Sequence, residues 1–67
     1  MTETTALDAQ IARLENYREA ARHERAAHEL LGDDDAAEAS AELAFRIDEQ
    51  ITALVVQAFN AEALVAA

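Results

Sequence analysis

Two pairs of side chains in this chain have the types and spacing of metal ligands: Glu19 with His23 and Glu24 with His28, each four residues apart. On a helix that spacing stacks both members on one face, so each pair could offer a carboxylate and an imidazole to a divalent cation. A lasting site needs more. Carboxylate metal centres in helical bundles use Glu-x-x-His backed by glutamates of facing helices, and zinc hydrolases use His-Glu-x-x-His; this segment has neither pattern. At about 100° per residue His23 falls opposite Leu14, on the outer side of the helix. The simpler expectation is ordinary surface pairing with no metal and no cofactor. A metal-binding helical bundle that gathers Glu19, His23, Glu24 and His28 from several chains is carried as an alternative. His28 lies nearer the apolar side and is expected to be a half-buried histidine satisfied by a neighbour, not a pH switch.

Other chemistries lack their parts. Ser40 is the single serine, so no serine–histidine–acid set can be drawn, and one glycine cannot build a phosphate cradle. The run Asp33-Asp34-Asp35 lacks the longer alternating loop that calcium requires and reads as a solvated turn and helix cap. Arg46-Ile47-Asp48-Glu49-Gln50-Ile51 with Leu54 resembles in outline the first helix of the all-helical chorismate mutases. A dicarboxylate substrate demands several converging cations, whereas this helix offers Arg46 alone in a chain without lysine. No enzymatic activity is expected.

These residues sit on two long alanine-rich stretches, free of proline, that meet at the only glycine, Gly32. The pattern predicts an all-α chain: helix one over about 5–31, a turn at 32–35, and helix two over about 36–65. Thr4 or Thr5 is expected to cap helix one, Thr5 with Asp8 approximating a capping box. Gly32 is expected to close that helix with a left-handed backbone, and one of the three aspartates to cap the next. So short a loop makes the helices an antiparallel hairpin.

Leu7, Ile11, Leu14, Tyr17 and Ala21 recur at threes and fours along helix one, with His28 and Leu31 prolonging the edge. Arg18 and Arg25 fall inside that arc and are expected to pair across the hairpin with Glu42, Asp48 or Glu49. In helix two, Ala37, Ala44, Ile47, Ile51, Leu54, Ala58, Ala61 and Val65 form the facing stripe. A second strip of Phe45, Thr52, Val55, Val56, Phe59 and Ala63 lies beside it, with Arg46, Glu49, Gln57 and Asn60 marking the wet face. One partner helix needs an arc of about 100°, and the two strips together exceed it.

Size points the same way. A 67-residue chain without cysteine has neither a large core nor a disulfide to reinforce it. Of its apolar residues 18 are alanine, and 10 of the 17 larger ones lie from Leu43 onward, so helix two carries the adhesive surface. Burying its two Phe and two Val contributes about 1.5–3 kcal/mol per side chain before entropic costs. The expected solution is a two-fold dimer of hairpins forming a four-helix bundle, with Phe45, Ile51, Leu54, Val55, Val56 and Phe59 at the interface.

Formal charge is -9, from 14 acids against five arginines, which disfavours direct nucleic-acid binding through phosphates. Residues 32–67 hold eight of the acids and only Arg46. No apolar run reaches the length of a membrane span, and Met1-Thr2-Glu3-Thr4-Thr5 lacks the basic region of a secretory signal, so a cytoplasmic location is expected. The preference for Ala and Arg over Ile, Lys and Asn suits a GC-rich bacterial or phage genome. The leading expectation is a small interaction module, whether adaptor, regulatory subunit or phage-type inhibitor, that binds itself and a further protein. An acidic nucleic-acid mimic that blocks a DNA- or RNA-binding protein is the alternative, with steep weakening in salt as its signature.

Overall fold

In the computed structural model, which describes the backbone of residues 3–66 and the side chains of residues 5–64, the chain forms two helices joined by a three-residue turn. α1 spans Glu3–Leu30 and α2 spans Asp34–Ala66, and they pack along each other in antiparallel. Both are rich in alanine, glutamate, leucine and other good helix formers, and α2 also carries the β-branched Ile47, Ile51, Thr52, Val55 and Val56, whose lower helix propensity is offset by its alanines. α1 is already under way at Glu3, two residues before the expected start, and the side chain of Thr4 lies outside the described set.

The turn is tighter than 32–35. Gly32 has φ of 76°, its N–H donates to the Glu29 carbonyl at 3.1 Å, and the Asp33 N–H donates to the His28 carbonyl at 2.9 Å. This is a Schellman closure, and it needs the left-handed residue at the position of Gly32. Asp33 then caps α2 directly: its Oδ1 accepts from the Ala36 N–H at 3.2 Å and its carbonyl from the Ala37 N–H at 3.0 Å. Asp34 and Asp35 therefore belong to the first helical turn, beside the positive dipole end, and α2 starts two residues earlier than the sequence spacing predicts. A Cβ on Gly32 would meet open space, so substitution there tests the backbone alone. Gly32→Val is expected to lower unfolding free energy by about 1–2 kcal/mol in urea titration, and Gly32→Asn by less.

The shared core is thin. Among the described residues the buried apolar set is Leu7, Ala21, Ala37, Ile47, Ile51 and Ala58, and Ser40 is buried with them. Ala21, at 1% exposure, is the most deeply buried of these residues. The outline is a rod of 53 × 17 × 10 Å. Its radius of gyration is 15.5 Å, where a compact 67-residue domain would have about 11 Å.

Candidate interaction surface

α1 meets α2 along one line. Leu7, Ile11, Leu14, Arg18, Ala21, Arg25 and His28 follow one another in steps of four and three, a seven-residue repeat. The facing line on α2, Ala37, Ser40, Ala44, Ile47, Ile51, Leu54, Ala58 and Ala61, steps by three and four. Such a 3.5-residue period keeps a seam against its partner over the full length of a long antiparallel pair. Every member of the α2 line is buried or half-buried, as the stripe predicts; Ser40, three residues after Ala37 and four before Ala44, joins it at 7% exposure. Val65 lies outside the residues whose side chains are described.

The repeat also decides what sequence spacing alone misplaces on α1. Tyr17 is 58% exposed and not part of the core, because the seam runs from Leu14 to Arg18 to Ala21 and passes it by. Tyr17 flanks an open groove of about 420 Å³ lined by Ala20, Ala21, Glu24, Leu43 and Ile47. Leu31 is exposed because α1 ends at Leu30 and the chain turns away there. Arg18 takes the seam position and pairs with Asp48 across the hairpin, its stem covered and its Nε buried without a hydrogen-bond partner. Arg25 does not cross: its Nε reaches Glu29 on its own helix at 3.0 Å, and Glu42 is taken by Arg46 on α2 at 2.8 Å.

The metal candidates separate. His23 Nε2 lies 3.3 Å from Glu19 Oε1 on the exposed outer face, whereas His28 is half-buried in the seam and Glu24 borders the Tyr17 groove. Among the described residues no three His, Cys, Asp or Glu side chains gather within one chain as a metal site would require.

What stands out is the far side of α2. Phe45 is 64% and Phe59 69% exposed, and Val55 and Val56 are about half exposed. Of the six residues expected at an interface, Ile51 is instead buried inside the hairpin and Leu54 half-buried at its margin, since both belong to the inner seam. The other four remain outside it. Phe45, Glu49, Thr52, Val56, Phe59 and Ala63 form a second, wholly exposed line in steps of four and three. α2 thus carries two lines of this spacing, and α1 covers only one. Glu49 belongs to this outer line, although its charge marks it as wet-face in the sequence; the signal was its spacing, four from Phe45 and three from Thr52. The Thr52 hydroxyl donates to the Asp48 carbonyl at 3.0 Å, so its polarity is satisfied within the helix. Phe45, Asp48, Glu49, Thr52 and Ala53 line a shallow groove of about 420 Å³ along this face.

Among the described residues no helix is long and apolar enough to cross a membrane, so the apolar outer line is not part of such a span. No protein-family model, characterised protein or solved structure matches this chain.

Proposed function

We propose that this chain is a non-enzymatic protein-interaction module that works as a homo-oligomeric helical bundle, with the outer face of α2 as its contact surface. One observation carries the reading: Phe45, Val55, Val56 and Phe59 lie in the open on the same helix whose opposite face already holds α1. Exposed phenylalanine and valine side chains collected away from the occupied face of so small a chain are characteristic of an interface. The thin core supports it, because a hairpin in which Leu7, Ile47 and Ile51 are the only large buried apolar side chains among the described residues gains much from a second layer. The acidic first half of α2, with Asp34, Asp35, Glu38 and Glu42 exposed, lies beyond that patch and gives a further, basic protein partner a surface to bind.

Sedimentation equilibrium with thermal melting over roughly a hundredfold range of concentration tests this. The expected mass is a multiple of 7.3 kDa, with a melting temperature that climbs as concentration rises. A folded 7.3 kDa species whose melting temperature ignores concentration would overturn the proposal.

A further inference from the structure

Resting on the self-association proposed above, we infer that the occupant of the outer face is a second copy of α2 running antiparallel, related by a two-fold axis that crosses the outer line midway between Thr52 and Val56. Three independent observations lead there.

The first is area. The chain exposes 5077 Å², about 900 Å² more than the roughly 4,200 Å² typical of a compact monomer of its mass. A standard protein–protein interface removes about 800 Å² from each partner, an area that so open and elongated a hairpin can supply.

The second is pattern. The outer line steps 4-3-4-3-4 from Phe45 to Ala63, a spacing that reads the same in reverse. Turned end for end about its midpoint, the line therefore superposes on itself: Phe45 meets the second copy's Ala63, Glu49 its Phe59, and Thr52 its Val56. A large ring falls opposite a small methyl at each end, the alternation that lets facing layers interlock. The same surface serves both copies, as a two-fold contact requires. Glu49 reaches the partner ring with its methylenes and leaves its carboxylate at the rim.

The third is charge. Residues 34–49 carry six acids and Arg46, whereas residues 50–66 carry Glu62 alone. A parallel pair would stack the two acidic halves; the antiparallel pair, turned about residue 54, sets residues 42–49, with Glu42, Asp48, Glu49 and Arg46, beside the other copy's residues 59–66, with Glu62 alone, and opposes the helix dipoles favourably.

The chain has no cysteine, so single cysteine variants of the full chain can be spin-labelled without background. Asn60→Cys and Ala53→Cys are both exposed positions beside the line and outside it, and the distance between labels on paired copies is measured by electron paramagnetic resonance. With the axis at the height of residue 54, the Asn60→Cys labels are expected about 18 Å apart along the helix axis and the Ala53→Cys labels about 3 Å apart along it, at 1.5 Å per residue. Short distances at both positions in a dimer would overturn the antiparallel geometry while leaving self-association intact. No label–label coupling at Ala53→Cys in a dimer would move the contact to another face. A folded monomer would remove both this inference and the function it rests on.

Discussion

Phe59→Asp is expected to convert the assembly into monomers. The ring is exposed within one hairpin, so its loss costs the isolated chain little; in a dimer both rings disappear from the contact and two carboxylates enter it. At about 2 kcal/mol for each buried ring, the dissociation constant should rise about a thousandfold before the added charges are considered. Gel filtration and sedimentation at micromolar concentration read the result, with circular dichroism melting to report the accompanying fall in melting temperature. Gln57→Ala and Asn60→Ala, exposed on the same turns but off the apolar line, serve as controls and should leave mass and melting nearly unchanged. Equal, mild effects from all three would show that the contact surface lies elsewhere on the hairpin.

Ile47→Ala is expected to act through a different route. Ile47 is 8% exposed and sits beside Ala21 on the inner seam, where removing its methyl and methylene groups leaves a gap that two rigid helices cannot fully close. The expected loss is about 2–5 kcal/mol of unfolding free energy, a large share of what so small a chain holds. Helicity should fall at every protein concentration, unlike Phe59→Asp, whose defect is relieved by raising concentration. Leu30→Ala, at a leucine almost wholly open to water, provides the comparison and should change stability by less than about 0.5 kcal/mol in urea titration. If Ile47→Ala were as mild as Leu30→Ala, the seam between α1 and α2 would have to be redrawn.

The pair of predictions separates the two faces of one helix, and those faces were unequally legible. The inner line of α2 could be read from spacing because its members are apolar or small and repeat without interruption from Ala37 to Ala61. The line on α1 could not, since two of its positions hold arginine. Tyr17 looks like the natural core residue by type, yet the seven-residue period selects Arg18, whose charge is tolerated there because Asp48 of α2 lies opposite. Arg25 holds an equivalent position one repeat later and turns to Glu29 on its own helix. Which arginine crosses depends on whether a carboxylate falls opposite it, and that is fixed by the register of the two helices.

The metal candidates illustrate the same limit. Glu19 with His23 and Glu24 with His28 satisfy a one-dimensional spacing rule, but successive pairs five residues apart on a helix point in different directions, and the first pair lies on the outer face while His28 enters the seam. Likewise the aspartate run announced a cap without saying which residue would supply it; the Schellman closure at Gly32 leaves Asp33 as the next residue able to accept from an amide three positions on.

Composition and local pattern alone settle that this chain is helical, that it reverses at Gly32, that this glycine has a left-handed backbone, and that α2 has more apolar circumference than one neighbour can cover. Those are properties of single residues and of their spacing along one helix, where each contribution is short-range. Packing of the two helices settles the rest: the entry of Ser40 into the seam, the crossing of Arg18 but not Arg25 to α2, the exclusion of Tyr17, and the withdrawal of Ile51 and Leu54 from the open face. These follow from how one long helix lies on another, because a shift of one residue in that register carries a side chain about 100° around the helix and from the interior to water.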